Sequence, residues 1–302
     1  MTGRETTPGD TEIAPKQGDR ARKHARSWVR WGGVGTRTVG GMSDIVLYET
    51  RGRIGLITLN RPEARNAVNG DVAAGVEAAI DQLEADPEVW VGILTANTEG
   101  QDRPVFSAGA DLKAIASGQA SALNTKRGGF GGFAYRDREK PVIVAVDGLA
   151  TAGGCELVLA ADLVVATTRS AFGLAEVKRN LIAGAGGLFR LPRAIGRAAA
   201  MEVILTGEPL SAQRAYELGL VNRLVEPGQA VEEATRLAEQ ICAAAPLAVR
   251  ASRKVVLASA YEDDETLKKM TNEGFAGIMA SEDTKEGLAA FIEKRAPNWQ
   301  AK

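Results

Sequence analysis

The chain has 302 residues, 45% of them hydrophobic, which is enough apolar material for one large or two modest domains. Its formal net charge of −1 gives no sign of a nucleic-acid or membrane partner, and no apolar run is long enough to span a bilayer. No secretory signal pattern stands out, so we expect a cytoplasmic protein.

The two cysteines and the single histidine restrict the chemistry that we expect. Cys155 and Cys242 are too few for a disulfide framework or a cysteine metal site, and His24 lies in a polar N-terminal stretch. This composition argues against a Ser-His-Asp triad, a Cys-His dyad and a histidine zinc site. An enzyme of this composition would work with carboxylates, lysines or backbone amides and without a metal.

Residues 1–42 differ in composition from the rest of the chain. They are polar, glycine-rich and basic, with the cluster RARKHARSWVRW at 20–31. Such a stretch is typical of a targeting or nucleic-acid arm, of a solvated tail, or of residues before the true start, for which Met42 is a candidate. We expect a disordered or mis-started extension over 1–42.

From residue 43 onward, the apolar patterns predict an α/β core followed by helices. The predicted strands are 43–50, 53–59, 90–95, 142–146, 163–167 and 220–225, and the helices among them are 71–85, 155–161, 197–205 and 211–219. Beyond these, helices alone are predicted, at 231–244, 247–260, 263–280 and 282–295. We therefore expect a core at 43–230 and a helical region at 231–302.

Two stretches share one plan, in which a strand, a turn of small residues and a helix start follow each other. They are FSAGADLKAI at 106–115 and PVIVAVDGLATAGGCELVLAA at 141–161. In the second, Gly153 and Gly154 leave unpaired N–H groups at a helix N-terminus, which attracts negative charge. Glu156 lies in the first turn of that helix, and Glu176 follows farther along. The pattern favours acid/base chemistry beside a developing oxyanion, although ordinary structural turns look the same.

Residues 117–136 are rich in glycine and show no clear periodicity. We expect a mobile segment that covers a cleft. Its aromatic residues Phe130, Phe133 and Tyr135 either line an apolar pocket, with Phe133 as a substrate contact, or pack on the surface. The interleaved arginines and aromatics of RGGFGGFAYR also suggest, more weakly, contact with nucleic acid.

Several separated blocks together resemble the crotonase, or enoyl-CoA hydratase/isomerase, superfamily. The blocks are LNRPEARNAV (59–68), FSAGADLKAI (106–115), PVIVAVDGLATAGGCELVLAADLVVAT (141–167), AFGLAEVK (171–178), GAGGLFRLPR (184–193), AMEVILTGEPLSAQRAYELGLVNRLV (200–225) and FIEKR (291–295). Each block alone is weak, but their order and spacing make the resemblance specific.

The resemblance implies an α/β fold, a crotonase-like spiral of ββα units with a C-terminal helical trimerisation region. It implies homotrimers or homohexamers and a coenzyme A thioester as substrate, with no separate cofactor. In such proteins two backbone N–H groups polarise the thioester carbonyl, and here they fall on Ala110 and Gly153. Two glutamates that handle the water in hydratases match Glu156, the expected base, and Glu176, the expected acid.

The same resemblance implies the contacts of the coenzyme A portion. Ala64, Arg65 and Ala108 match the positions that bind adenine and pantetheine, and Asp111 is expected to order the turn that carries Ala110. Gly184, in the GAGG block, and Lys294, near the chain end, complete the expected contacts. For Lys294 the alternative is a solvated helix end.

Departures from the usual hydratase pattern lie close to the two glutamates. Alanine replaces a glycine at 152 and a proline at 175 and 183, and Asn180-Leu181 stand where glycine and a small polar residue are common. The segment EVKRNLIAGAGGLFRLPR is more similar to members that act on bulkier or polar acyl groups, including proteins like carnitinyl-CoA dehydratase.

These features predict an enoyl-CoA hydratase that reversibly adds water to a 2-trans-enoyl-CoA in fatty-acid or related acyl-CoA metabolism. The alternatives are a 3,2-enoyl-CoA isomerase, against which Glu156 speaks, and a carnitinyl-CoA dehydratase-like enzyme. A remote alternative is an RNA-binding protein on the same fold. A nicotinamide dehydrogenase is disfavoured, because GAGGLF at 184–189 is only a near miss to the dinucleotide-binding fingerprint.

Overall fold

The computed structural model describes residues 37–38 and 44–302, so the predicted extension lies almost wholly outside the described residues. The strands are β1 (Arg37–Thr38), β2 (Val46–Arg51), β3 (Ile54–Leu59), β4 (Val91–Ala96), β5 (Val105–Ser107), β6 (Asn124–Thr125), β7 (Gly129–Phe130), β8 (Val142–Val146), β9 (Leu149–Thr151), β10 (Leu163–Thr167), β11 (Ala171–Gly173), β12 (Leu210–Ser211) and β13 (Arg223–Val225).

The helices lie between these strands and after the last of them. They are α1 (Gly70–Ala85), α2 (Leu112–Ala116), α3 (Gly153–Leu159), α4 (Gly187–Ile195), α5 (Arg197–Thr206), α6 (Ala212–Glu217), α7 (Ala230–Cys242), α8 (Pro246–Ala258), α9 (Asp264–Met279) and α10 (Glu282–Glu293). Short 3₁₀ helices occur at Pro62–Ala64, Ala120–Leu123 and Glu176–Arg179. The predicted α/β class is confirmed, and Asn69 caps α1 by accepting from the N–H of Val72.

The larger sheet has the strand order β1-β2-β3-β4-β8-β10-β13. Strands β2 and β3 pair antiparallel, as a hairpin, and each pair from β3 to β13 is parallel. Strand β8 lies between β4 and β10 and is entirely buried, which explains its continuous apolar run, since both faces of the sheet are covered.

The two faces of β8 belong to different hydrophobic clusters. Val142 and Val144 pack in the cluster that includes α1, whereas Ile143 and Ala145 pack in the cluster that includes α7. Through Ala234 and its neighbours, α7 covers the second face of the sheet. The first helix of the predicted helical region is therefore part of the core packing.

A smaller sheet, with the order β12-β11-β9-β5, carries the two glycine-containing turns. Strands β5 and β9 are parallel neighbours, so the turns that follow them emerge at the same edge of the sheet. The sequence plan noted at 106–115 and 141–161 thus becomes a spatial pair. In α/β proteins this carboxyl edge is the usual place for ligand sites.

The segment at 117–136 is folded against α1, which differs from the mobile segment that we expected. It forms a 3₁₀ turn and the short hairpin β6–β7, and Phe130 and Phe133 are both buried. The carboxylate of Asp81 on α1 pairs with Arg127 and, at 2.6 Å, with Arg136. Both arginines are thus engaged in ion pairs within the chain.

Among the described residues, no helix combines the length and the apolar character that crossing a lipid bilayer requires.

Candidate active site

A cavity of about 1130 Å³ lies where the two turns meet the 3₁₀ helix Glu176–Arg179. The predicted site residues that line it are Ala64, Arg65, Ala108, Ala110, Asp111, Gly153, Glu156, Glu176 and Gly184. Residues from five separate stretches of the sequence therefore converge on one space that is large enough for part of an extended ligand.

The two turns approach each other closely because glycine stands at their contact. Gly109 has a φ of +82°, and a Cβ on it would lie 2.7 Å from the backbone nitrogen of Gly153. Within the described chain, the N–H groups of Ala110 and Gly153 donate to no backbone or side-chain acceptor. Two free donors at one cavity wall are what an oxyanion site needs.

Ala152, just before α3, has an unusual backbone for a residue with a side chain. Its φ is 51° and its ψ is −128°, a region that favours glycine. The turn is nevertheless held, because the N–H of Ala152 donates to the carbonyl of Gly173 at 2.8 Å. The alanine that departs from the usual hydratase pattern thus occupies a strained position beside the free N–H of Gly153.

Glu156 is buried, with 3% of its surface exposed, and its carboxylate is held by backbone donors. The atom Oε1 accepts from the N–H of Ala185 at 2.6 Å and from that of Gly187 at 2.9 Å. Burial raises the pKa of Glu156 above its ordinary value, while these two donors and the charge of Arg190 oppose the increase. A Cβ on Gly187 would lie 3.1 Å from Oε1, so glycine lets this amide approach.

Glu176 opens the 3₁₀ helix on the other side of the cavity. Its Oε2 is buried, and within the described part of the chain it has no hydrogen-bond partner. Burial raises the pKa of Glu176, and the charge of Glu156 raises it further. The carboxyl group of Glu176 is therefore inclined to hold a proton and has a free oxygen with which to use it.

The turn that carries Ala110 is fixed by an ion pair. Asp111 caps α2 by accepting from the N–H of Lys113 at 3.0 Å, and its other oxygen lies 3.2 Å from Arg61. Arg61 also donates to the carbonyl of Ala67 at 2.7 Å. The guanidinium therefore joins the 61–68 loop to the oxyanion turn, a role that sequence reasoning did not assign to it.

Two predicted substrate contacts do not line the cavity. Phe133 is 1% exposed and lies beneath Arg138, whose guanidinium carbon is 4.6 Å from the ring centre. Apolar packing in the core thus uses this ring, and Phe130 is the aromatic residue that reaches the cavity. Lys294 caps the C-terminal end of α10 with a φ of 54° and is exposed, as in the helix-end alternative.

Sequence reasoning missed the backbone donors of Ala185 and Gly187 and the guanidinium of Arg190. The available signal was the GAGG run at 184–187, in which small residues permit close backbone approach. The run indicated a turn near the site but not that its amides face a glutamate.

The mixed α/β core with its C-terminal helices, and a cavity lined by two glutamates and two free amides, are features of the crotonase class of fold. The chain belongs to the enoyl-CoA hydratase/isomerase family, whose family model matches residues 49–302.

Solved structures and curated relatives agree with this membership. The enoyl-CoA hydratase from Mycobacterium tuberculosis H37Rv is 48% identical with a TM-score of 0.81, over 86% of this chain and 100% of that one. A carnitinyl-CoA hydratase from Mycobacterium avium is 44% identical with a TM-score of 0.67, over 86% and 100%. The carnitinyl-CoA dehydratase of Salmonella typhi is 38% identical over 86% of this chain and all of its own length.

Proposed function

We propose that this enzyme is a hydro-lyase that reversibly adds water across the 2,3 double bond of an enoyl-CoA thioester. The observation that carries the proposal is that Glu156 and Glu176 line the same cavity as the free amides of Ala110 and Gly153. An isomerase needs only one carboxyl group to move a proton. The presence of the second, Glu156, therefore favours hydration.

In the proposed reaction, the thioester carbonyl oxygen accepts from the amides of Ala110 and Gly153. This withdraws electrons from C3 and stabilises the enolate that forms when water attacks there. Glu156, ionised, accepts a proton from the attacking water, and Glu176, protonated, delivers a proton to C2. The sum is the addition of one water molecule, and the reverse steps dehydrate a 3-hydroxyacyl-CoA.

Two acyl groups are candidates, and different observations support them. The names of the curated relatives favour a thioester of carnitine, which carries a quaternary ammonium group. Sites for such groups commonly use several aromatic rings. Phe130 is the sole aromatic residue lining this cavity in the described chain. This feature supports an uncharged 2-trans-enoyl group.

An assay of the purified protein with crotonyl-CoA, crotonobetainyl-CoA and a 3-enoyl-CoA tests both the reaction type and the acyl group that we propose. Hydration of either 2-enoyl thioester supports the hydro-lyase, and the larger kcat/KM identifies the acyl class. Isomerisation of the 3-enoyl thioester without hydration of the others would replace the proposal with an isomerase. No turnover of any of the three would contradict it.

A further inference from the structure

The segment Gly184–Gly187, which holds Glu156 through two amides, is itself held from its opposite side. The hydroxyl of Tyr135 donates to the carbonyl of Gly184 at 3.2 Å. Arg190 donates from Nη1 to the carbonyl of Ala185 at 3.1 Å and from Nη2 to the carbonyl of Ala134 at 2.7 Å. One guanidinium therefore ties the Glu156-binding segment to the aromatic segment before β8.

The guanidinium of Arg190 is fixed in place by its surroundings. Its central carbon lies 5.2 Å from the ring centre of Tyr135 and 5.4 Å from that of Phe189. Gly186 has a φ of +104°, and a Cβ there would lie 2.5 Å from Nη1 of Arg190. The planar group thus packs directly on the backbone of the segment, a position that a flexible ammonium does not fill equally well.

We propose that Arg190, assisted by Tyr135, is a positioning residue that aims the Ala185 and Gly187 amides at Glu156 and favours the charged form of that carboxylate. Its role in catalysis rests on the water addition proposed above. Arg190 does not line the cavity, so it acts through Glu156 without touching the substrate.

The charges around Glu156 support the electrostatic half of this role. Arg190, from α4, lowers the pKa of Glu156, and Arg179 acts instead on Glu176. Cys155 is a buried, neutral thiol because burial and the two glutamates raise its pKa far above the usual range. Loss of the Arg190 charge would therefore raise the pKa of Glu156.

Tyr135 and Arg193 are the other titratable groups on this side, and both act on Arg190. Arg193 is exposed, contacts Phe189 at 5.4 Å from the ring centre, and makes no hydrogen bond to the Gly184–Gly187 segment in the described chain. It lies on the same helix as Arg190, so Arg193→Gln is the matched control.

The first test is the pH dependence of hydration by Arg190→Gln, Arg190→Lys, Tyr135→Phe and Arg193→Gln. We expect Arg190→Gln to lower kcat by about 10- to 100-fold, as other losses of orienting partners do, with little change in KM. The acidic limb of its pH–rate profile should move to higher pH, because the pKa of Glu156 rises when the charge of Arg190 is lost. Arg190→Lys keeps the charge, so its limb stays near that of the wild type while kcat falls less. Arg193→Gln behaves as the wild type.

An acidic limb of Arg190→Gln that coincides with the wild-type limb overturns the proposal, as does an equal displacement in Arg193→Gln. Should Arg190→Gln fail to fold, Tyr135→Phe decides, because it removes only the hydroxyl that holds Gly184. A lower kcat at unchanged melting temperature supports the proposal, and an unchanged kcat contradicts it.

The second test needs no turnover. An infrared titration follows the protonated carboxyl band of Glu156, identified as the band that is absent from Glu156→Gln. A band that persists to higher pH in Arg190→Gln than in the wild type supports the positioning role even if no thioester is hydrated. An unmoved band overturns that role while leaving the hydro-lyase proposal intact.

Discussion

At the scale of single residues, the two glutamates differ in the support that the backbone gives them. Glu156 accepts from two amides and is close to the positive charge of Arg190, which opposes the effect of burial on its pKa. Glu176 has a buried oxygen without a hydrogen-bond partner in the described chain. Burial raises the pKa of Glu176, and the charge of Glu156 raises it further. These environments support the roles that we propose, with Glu156 as the base and Glu176 as the acid.

The raised pKa of Glu176 predicts a pH-dependent cost to stability. A folded-state pKa above the ordinary 4.5 means that the folded protein keeps a proton that the unfolded chain has released. The stability of the wild type therefore falls as the pH rises from the pKa of Glu176 in the unfolded chain to its pKa in the folded protein. Above the folded-state pKa the full loss of stability is present. Glu176→Gln should melt a few degrees above the wild type at pH 8 and lose this advantage near pH 4. Thermal scans across pH test this, and an equal difference at both ends would contradict it.

The strained backbone of Ala152 predicts that glycine is better there. With φ at 51° and ψ at −128°, Ala152→Gly should relieve strain and stabilise the protein by about 1 kcal/mol after the extra entropy of the unfolded chain is subtracted. This corresponds to about 2–4 °C in melting temperature.

The control for this substitution is Ala160→Gly, at an ordinary helical φ of −85°. It carries the same entropic cost without strain to relieve, so we expect it to melt below the wild type. If both glycine variants lose stability equally, the backbone at Ala152 is not strained.

At the residue scale, the sequence predicted the location of a residue where a motif fixes it, and the prediction failed where burial decides. Glu156, Glu176, Ala110 and Gly153 were placed by their motifs, and all four line the cavity. The direction of the Phe133 ring was not predictable, because Arg138 covers it from a position that only the fold sets.

At the scale of elements, the start of α3 is shaped by a ring from the preceding hairpin. A Cβ on Gly153 would lie 2.4 Å from the tip of Phe130, so the helix start and β7 pack without space for a methyl group. Gly153→Ala should displace Phe130 or the amide and lower kcat by about 100-fold or more. Steady-state kinetics of Gly153→Ala, after its folding has been checked, tests this prediction.

Gly277→Ala is the matched control, since a Cβ there meets nothing within 4 Å on α9. We expect wild-type kinetics from it. An active Gly153→Ala would show that the amide of Gly153 does not hold the thioester oxygen.

The helices and strands were largely predictable, but the order of the 117–136 segment was not. Its glycines suggested mobility, whereas Glu77 accepts from the N–H of Gly128 at 2.9 Å and Asp81 pairs with Arg136. Both acids lie on α1, about 50 residues earlier, and nothing local to the segment signals them. Long-range pairing of this kind is invisible to periodicity.

At the scale of the whole molecule, a single chain leaves large apolar side chains uncovered on its last helices. Phe275, Leu288, Phe291 and Ile292 are 66%, 60%, 84% and 78% exposed. Exposed apolar surface of this extent marks an interaction site. We expect homotrimers or homohexamers, as the family resemblance implies, with these four side chains at the contacts.

Light scattering coupled to size exclusion tests this expectation. Phe291→Asp and Ile292→Asp together should reduce the mass to smaller species, because a desolvated charge opposes association. Arg103→Asp, in the exposed loop between β4 and β5, is the control and should leave the mass unchanged. A monomeric wild type would contradict the expectation.

The central claim is that Glu156 and Glu176 act on one water molecule above a thioester held by two amides. The direct measurement is kcat for hydration by Glu156→Gln, Glu176→Gln and the double variant, each checked for folding. Each single change should slow hydration by about 100- to 10,000-fold. Because groups that act as a unit are not additive, the double variant should be about as slow as the slower single one. Rate losses that multiply in the double variant, or a single variant with wild-type kcat, would contradict the account.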